Sequence, residues 1–341
     1  MSRPGFVILG SGPVALACAL WCEHRGPVRV LCAATSSEDA ALPRIEVVPM
    51  ATVAGLVELG VHPHAIGVFE FNERRLVAWD RAEPITHQTP AAAHLERPAL
   101  DRVLLAIAST RRHIELCRRD VHSAYAEAVE LARAGTCVID ATGRRAALAT
   151  RTHHYCKPWI ARTFHVPYRN TMSSAHAVVP FMVAALEHGY AYRAVGHRCC
   201  TVGIVGRGEA ISGSPALVRE RLYASDARWL VEDISAVQWT STEAKPAGIQ
   251  WAEGEAAAFI GDAALARDAL SSQGLATGLV DARYAAEIHS RADYEMLAQR
   301  SRMARVAHAR ELVDMIAACR WRAHDIWSDY ADFLMTSALR P

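Results

Sequence analysis

Short apolar runs and amphipathic stretches alternate through the first part of the chain. Residues 6–9 are a four-residue apolar run bounded by glycine, which is typical of a buried parallel strand. Residues 13–25 follow with apolar side chains on one helical face and Gly26 as the stop. Residues 28–31 form the next apolar run. This order predicts a compact, right-handed β-α-β unit at the start of the chain.

The chain up to residue 140 predicts further elements of both kinds. Apolar runs at 69–71 and 76–79 flank the polar residues 72–75, which predicts a hairpin with its turn at 72–75. Apolar periodicity also predicts a strand at 45–48, a helix at about 51–59, a helix beginning at Arg97-Pro98 and a strand at 137–139.

The middle of the chain, residues 155–251, changes to β-rich and alternating runs. These runs predict an antiparallel sheet layered against the first unit, and they lie at 159–166, 177–181, 190–193 and 200–205. Residues 259–260 then return to an apolar strand, and residues 274–333 are predicted to be almost wholly helical.

The expected fold class is therefore α/β, with a Rossmann-like nucleotide-binding domain, an inserted mixed or antiparallel β-sheet substrate domain and C-terminal helices. The predicted boundaries are 1–70, 97–152 and 255–290 for the discontinuous binding domain, 71–96 and 153–254 for the substrate domain, and 291–341 for the C-terminal helices.

Composition excludes several function classes. The 341 residues are 51% hydrophobic, with 37 basic and 36 acidic side chains, so nothing in the net charge points to nucleic acid. The nine cysteines form no CxxC pair, which favours a reduced cytoplasmic protein. The apolar N-terminal run is interrupted at residues 10–13, and no other run approaches ~18 uncharged residues, so no membrane span is expected. His62 with His64, and His153 with His154, are interpreted as ordinary surface or hydrogen-bonded histidines, and no metal is predicted.

A glycine loop joins the first strand to the first helix. The pattern is GxGxxA, in which the first glycine allows the turn, the second lets backbone approach a pyrophosphate, and the alanine keeps helix and strand close. Phosphates would lie at the positive end of the helix. At this position in a β-α-β unit the loop predicts dinucleotide binding and leaves NAD and FAD as alternatives. The loop residues are Gly10, Gly12, Pro13, Val14 and Ala15.

One part of the usual dinucleotide site is missing. The second strand ends in Leu31 and Cys32, where an acidic residue would accept a hydrogen bond from a ribose hydroxyl. Glu38 and Asp39 in the following loop are candidates to replace it.

Two later segments separate FAD from NAD. Residues 138–144 read VIDATGR, and residues 259–264 read FIGDAA and are followed by DALSSQGL at 268–275. With the N-terminal loop, their order and spacing resemble the FAD-binding elements of glutathione-reductase-like flavoproteins, within the aromatic-hydroxylase and tryptophan-halogenase-like monooxygenase superfamily. The resemblance implies FAD as cofactor, with contacts from Arg44, Arg102, Ala141, Thr142, Gly143, Gly261, Asp262, Ser271, Gln273, Gly274 and Leu275.

The branch within this superfamily rests on shorter strings. The Trp-x-Trp-x-Ile-Pro motif of tryptophan halogenases is not present in the sequence, which argues against halogenation. Segments 44–49, 56–63 and 189–193 resemble the small flavoproteins that mature tryptophylquinone cofactors or hydroxylate tryptophan in a partner polypeptide. This closer resemblance implies oxygen insertion into an aromatic small molecule or a tryptophan in a peptide or protein. NADPH and a separate flavin reductase remain as alternative electron donors.

Residues for catalysis are predicted only by their position in the middle sheet and by their chemistry. A FAD-dependent dehydrogenase or reductase, a flavin-binding maturation factor for a partner protein and a FAD halogenase remain as alternatives. The candidates for substrate contact are His176, Tyr192, Arg193 and Trp239.

Overall fold

A computed structural model describes residues 5–33, 44–154, 159–167, 181–196, 199–234, 239–241, 245–271, 273–290 and 293–338. The strands in chain order are β1 (Phe6–Leu9), β2 (Val28–Ala33), β3 (Ile45–Pro49), β4 (Phe69–Ala78), β5 (Ile85–Glu96), β6 (Ile114–Arg119), β7 (Cys137–Asp140), β8 (Arg151–His154), β9 (Ile160–Pro167), β10 (Phe181–Leu186), β11 (Gly189–Val195), β12 (Cys199–Gly206), β13 (Thr240–Ser241), β14 (Lys245–Pro246), β15 (Gln250–Glu253) and β16 (Ala258–Phe259). The helices are α1 (Pro13–Cys22), α2 (Met50–Glu58), α3 (Arg97–Ser109), α4 (Val121–Arg133), α5 (Gly208–Ile211), α6 (Pro215–Ala224), α7 (Asp262–Leu265), α8 (Gly274–Ala285), α9 (Tyr294–Ala318) and α10 (Asp325–Phe333).

The predicted β-α-β unit is present and forms the centre of a five-stranded parallel sheet. Its strand order is β16-β7-β1-β2-β6. Side chains of β1 alternate between the two faces of this sheet. Phe6 and Ile8 pack among α1, α3 and α8, whereas Val7 and Leu9 pack against α4. Helices therefore cover both faces, which is why the strands read as continuous apolar runs.

The second sheet is mixed and has nine strands in the order β13-β9-β12-β11-β10-β4-β5-β3, with β14 also paired to β9. The pair β10–β4 is parallel, and the other pairs are antiparallel. Strand β3, which the sequence assigned to the first unit, pairs with β5 in this sheet.

The hairpin prediction at residues 72–75 is wrong. These residues lie inside one continuous strand, β4, which pairs with β5. The register shifts between Asn72 and Arg74, so the polar run lies at a β-bulge, where the ladder is interrupted without the chain reversing. The chain reverses after Trp79, within residues 79–84.

The C-terminal helices pack on the second sheet. Side chains of α9 and α10 share a core with strands β10 and β11, and Trp327 and Tyr330 are among its fully buried members. The indole of Trp79 lies edge-on to that of Trp327, with ring centroids 5.5 Å apart. Among the described residues, no helix combines the length and apolar character needed to cross a bilayer. The predicted α/β class, with one parallel sheet, one mixed sheet and C-terminal helices, is confirmed.

Candidate active site

A cavity of about 730 Å³ lies between the two sheets. One side is formed where the parallel strands end, at Leu9, the last residue of β1, at Ala141 after β7 and at Ile260 after β16. The opposite side comes from the second sheet, at Phe181 and Tyr192. Ligands of open α/β sheets bind at this carboxyl edge, and the volume falls in the range of small-molecule and cofactor sites.

The two glycines of the N-terminal loop have different steric roles. Gly10 has a φ of +138°, and a Cβ there would lie 2.6 Å from the carbonyl oxygen of Ala141. Only glycine allows this close approach of the two loops. At Gly12, by contrast, a Cβ would meet nothing nearer than Nη2 of Arg97, at 3.7 Å. Gly12 therefore leaves its cavity side open for a ligand.

Two helices begin at the cavity wall. Gly12 is the N-cap of α1 and Gln273 is the N-cap of α8, and neither cap supplies a side-chain hydrogen bond to its helix. The residues that follow, Pro13 and Val14 in α1 and Gly274 and Leu275 in α8, line the cavity. First-turn amides have no intrahelical acceptor and carry the positive end of the helix dipole. Both helix ends can therefore bind negatively charged or carbonyl groups of one ligand.

Small residues hold these two helix ends together. A Cβ at Gly278 in α8 would lie 2.6 Å from Cγ2 of Val14 in α1. Gly261 has a φ of +58°, and its Cα would lie 3.3 Å from that same added Cβ. Glycine inside a helix costs about 1 kcal/mol relative to alanine, and the close contact with Val14 explains its presence at 278.

A buried carboxylate shapes the loop after β7. Oδ1 of Asp140 accepts hydrogen bonds from the backbone amide and the hydroxyl of Thr142, at 2.9 and 2.7 Å. Its Oδ2 accepts one from the amide of Leu148, at 2.7 Å. Burial raises the pKa of Asp140, and these hydrogen bonds oppose that shift. Asp140 thus fixes the loop that presents residues 141–143 to the cavity.

Charged side chains surround the cavity in unequal numbers. The described lining residues include five arginines but only three acidic residues. Glu46 pairs with Arg44 at 3.0 Å and with Arg97 at 3.4 Å, and its charge raises the pKa of Arg44. Burial raises the pKa of Asp262, which lies at the start of α7. The excess positive charge suits a ligand with two negative charges. The arginines are Arg44, Arg97, Arg144, Arg145 and Arg267, and the acids are Glu46, Asp262 and Asp268.

The second sheet contributes an aromatic wall, formed by Phe181 and Tyr192. Their rings are stacked, with centroids 6.3 Å apart and planes 24° apart. Tyr192 interacts through its hydroxyl with Thr163, another lining residue. It reaches across the paired position Gly203 on β12, where any Cβ would overlap the ring. Burial raises the pKa of Tyr192, so the phenol keeps its proton at neutral pH.

Asp268 links the cavity to the C-terminal helices. Its Oδ1 accepts hydrogen bonds from the hydroxyl of Tyr190, at 2.6 Å, and from the amide of Leu270, at 2.9 Å. Its Oδ2 accepts one from the hydroxyl of Tyr330 in α10, at 3.3 Å. Because Asp268 is 1% exposed, these donors replace the water that a carboxylate requires.

Most residues predicted for cofactor binding line the cavity. They are Gly10, Gly12, Pro13, Val14, Arg44, Ala141, Thr142, Gly143, Asp262, Gln273, Gly274 and Leu275, joined by the catalytic candidate Tyr192. Ala15, Gly261 and Ser271 are not among the lining residues. Ala15 packs beneath the loop against Gly10, the amide of Gly261 donates to Asp281 at 3.3 Å, and the hydroxyl of Ser271 donates to the carbonyl of Asp268 at 3.0 Å.

Arg102 does not reach the cavity, and Arg97 does. Both lie on α3, but only its first residue, Arg97, faces the glycine loop. Five residues further along, the helix has turned by about 140° from that direction, and Arg102 is exposed to solvent.

Arg193 and Trp239 lie on the side of the second sheet that faces away from the cavity. Side chains alternate along β11, so Tyr192 faces the cavity and Arg193 does not. The guanidinium of Arg193 is fully buried, with Nη2 bound to Asp233 at 3.0 Å. Trp239 packs against Phe164, with ring centroids 5.5 Å apart. The third candidate, His176, lies outside the described residues, as do Glu38 and Asp39.

Several lining residues were not predicted from the sequence. Arg144 and Asp268 lie inside the two segments that indicated FAD, and Arg267 directly precedes Asp268 in the second of them, but none of these three side chains was predicted to line the site. Thr163 and Phe181 gave no signal, because an isolated residue in a β-rich run does not show which face of the sheet it occupies.

Neither the protein-family models nor the curated proteins include a match to this chain. Solved structures do match. The peptidyl tryptophan dihydroxylase QhpG, described as essential for tryptophylquinone cofactor biogenesis, is 19% identical, with a TM-score of 0.65 over 96% of this chain and 79% of that one. The myxobacterial chondrochloren halogenase CndH, a FAD-dependent halogenase variant, is 15% identical, with a TM-score of 0.70 over 95% and 85%. Xcc4156, a flavin-dependent halogenase from Xanthomonas campestris, is 12% identical, with a TM-score of 0.68 over 98% and 81%.

These likenesses define the class by its fold. The chain has the fold of flavin-dependent halogenases and of a peptidyl tryptophan dihydroxylase along nearly its whole length. The resemblance drawn from three short sequence segments is confirmed at the level of fold.

Proposed function

We propose that the chain is a FAD-dependent monooxygenase that inserts oxygen into an aromatic substrate, with a tryptophan side chain, free or in a peptide, as the leading candidate. One observation carries the proposal. A single cavity connects two helix N-termini and the carboxylate of Asp262 to the aromatic wall. The first group of features suits a dinucleotide, and the second suits an aromatic ring.

The residues present fit FAD. Its pyrophosphate would bind the first turn of α1, where Gly12 leaves open space and arginines supply positive charge. Asp262 would accept hydrogen bonds from the ribityl hydroxyls. The amides of Gly274 and Leu275 would face the pyrimidine edge, where reduced flavin carries negative charge. The sequence resemblance to glutathione-reductase-like flavoproteins implies this arrangement. When bound, FAD would supply the redox chemistry with oxygen.

The chain itself would position the substrate and exclude water. Phe181 and Tyr192 offer ring faces and edges that favour offset or edge-on packing of another aromatic ring. The Tyr192 hydroxyl keeps its proton and can donate it in a hydrogen bond to a polar substituent. The C-terminal helices pack against the same face of the second sheet, and this cover would help to keep solvent from the reacting ring.

Cofactor binding is tested with purified protein and a flavin titration followed by visible absorbance and fluorescence. Gly12→Val should bind FAD at least ~10-fold more weakly, about 1.4 kcal/mol, because the new side chain enters the cavity without meeting protein atoms. Asp262→Ala should also weaken binding. Gly55→Val is the matched control, since a Cβ at Gly55 meets nothing within 4 Å and the residue lies outside the cavity. Unchanged affinity in a Gly12→Val/Asp262→Ala double variant would refute this site.

The reaction is tested with reduced FAD, ¹⁸O₂ and a tryptophan-containing peptide, followed by mass spectrometry. The proposal expects a mass gain from labelled oxygen. Loss of two hydrogens without label would instead identify a dehydrogenase, and a product that forms only with chloride or bromide would identify a halogenase. A stable complex with a partner protein and no turnover would favour a maturation factor. Comparing NADPH alone with NADPH plus a flavin reductase identifies the electron donor.

A further inference from the structure

A second cavity, of about 370 Å³, lies on the opposite face of the nine-stranded sheet. Leu186 of β10 and Ile204 of β12 line it, and both belong to the core on the side away from the aromatic wall. Helix α6 and the turn before α10 complete it through Leu222 and Trp321. Within the described chain, it shares no lining residue with the first cavity.

Three metal-ligating side chains meet at the edge of this cavity. Oε1 of Glu187 lies 2.9 Å from Nε2 of His324 and 3.9 Å from Nε2 of His188. One ligand atom from each residue lies within 4.8 Å of the other two. The two imidazoles are edge-on, with centroids 5.2 Å apart. A tetrahedral ion with bonds of about 2.0–2.1 Å needs ligand atoms roughly 3.3 Å apart, so small rotations of these side chains would close the site.

The backbone that carries the ligands is firmly held. Glu187 and His188 form the two-residue turn between β10 and β11, closed by the pair Leu186–Gly189. His324 is the N-cap of α10. The indole nitrogen of Trp327 donates to the carbonyl of Leu186 at 2.9 Å, and thereby ties α10 to the turn beside both ligands. The site is therefore preorganised.

We propose that Glu187, His188 and His324 bind a divalent transition-metal ion, for which Zn²⁺ is the probe. Two imidazoles and one carboxylate are a ligand set that zinc accepts, and three protein ligands leave a fourth position open. Imidazole ligands favour transition metals over Mg²⁺ and Ca²⁺, which prefer oxygen. Because Glu187 and His188 also line the second cavity, the open position is available to a small ligand held there.

An ion pair between Glu187 and His324 does not by itself account for the position of His188. A Glu187–His324 pair needs only two residues, yet His188 presents its Nε2 to the same carboxylate oxygen. Nδ1 of His324 is buried and makes no hydrogen bond within the described chain, so the pair is not part of a larger hydrogen-bond network. No sequence pattern predicts this site, because His188 and His324 lie far apart in the chain.

The test uses the full-length chain without an affinity tag, first stripped with a chelator. Isothermal titration with Zn²⁺ should show one site, and Co²⁺ should give the intense visible bands of four-coordinate cobalt. His188→Ala and His324→Ala should each weaken Zn²⁺ binding at least ~10-fold, while Mg²⁺ shows no binding. His188 lies on an exposed turn and the side chain of His324 makes no cap hydrogen bond, so both variants should fold.

The matched control is His62→Ala/His64→Ala, which removes an exposed histidine pair whose rings lie 5.4 Å apart. The control should bind Zn²⁺ as the parent does. The proposal is overturned if the parent binds no stoichiometric Zn²⁺, or if binding survives in a triple variant of Glu187, His188 and His324. FAD affinity is measured in parallel and should not change, so this result is independent of the proposed flavin site.

Discussion

Replacing Gly203 by alanine should move the aromatic wall and leave cofactor binding intact. Gly203 lies on β12 opposite Tyr192, and the tyrosine ring occupies the space where a side chain at 203 would lie. An ideal Cβ there would be 2.5 Å from the Tyr192 hydroxyl oxygen and nearer still to two ring carbons, whereas ordinary contacts begin at 3.4 Å. The ring must therefore move by roughly 1 Å, and the open side is the cavity.

The expected magnitudes follow from this direction of movement. Because the ring can yield into open space, Gly203→Ala should cost about 1 kcal/mol of folding free energy, the low end for an overpacked site. A displacement of about 1 Å at the substrate side should lower turnover about 100-fold. FAD affinity should stay within about threefold of the parent, because the helix ends that would bind the cofactor lie on the other sheet.

The assay combines turnover, flavin titration and urea unfolding. Gly208→Ala is the control, since the nearest atom to its new Cβ is 3.8 Å away. The double variant Gly203→Ala/Tyr192→Ala removes the overlap, so the two substitutions should be non-additive in stability. The reasoning is refuted if Gly203→Ala leaves turnover unchanged, or if it weakens FAD binding as strongly as it slows turnover.

Three further predictions concern stability, measured by urea unfolding. Asp233→Ala removes the partner of the buried Arg193 guanidinium and should cost about 3 kcal/mol with FAD affinity unchanged; a loss below 1 kcal/mol would contradict this. Burial lowers the pKa of His94 and of His165 to about 4. The pKa of each histidine in the unfolded chain is about 6.5, so their contribution to folding stability is fully present above pH 6.5. It is lost as the pH falls towards 4, by about 2 kcal/mol per histidine at pH 5. An unchanged unfolding midpoint between pH 7.5 and pH 5 would contradict this prediction. Asp268→Ala leaves two buried tyrosine hydroxyls without their acceptor and should cost about 3 kcal/mol, whereas Asp268→Asn should cost less.

Local chemistry explains why part of the site could be predicted from the sequence. Gly10 and Gly12 lie where strand, turn and helix follow one another within a few residues, and each glycine has a distinct steric reason. Asp262 lies three residues after the end of the last parallel strand, so its position near the sheet edge follows from the strand. Such sites can be predicted because their residues lie close together in the sequence, at the junction of a strand and a helix.

The other site residues could not be predicted, because their selection depends on the directions of helices and strands in space, which a sequence pattern does not contain. Choosing Arg97 over Arg102 requires the direction of α3 relative to the glycine loop, and both arginines suit the helix equally. Choosing Tyr192 over Arg193 requires knowing which face of β11 lies towards the cavity. A shift of one residue in the strand register reverses that answer. The prediction of a hairpin at residues 72–75 was wrong because a polar run at a β-bulge has the same composition as a turn.

The contact of Val14 with Gly278 affects the distance between the two helix ends, those of α1 and α8, that form the proposed ligand site. The start of α1 packs closely on α8 because a methyl group of Val14 lies against the helix backbone at Gly278, where there is no side chain. A larger residue at 278 would push the helices apart and lengthen the span that a single bound molecule must bridge. The residues of the second sheet that line the cavity, such as Phe181 and Tyr192, can therefore change without altering the distance between these two helix ends.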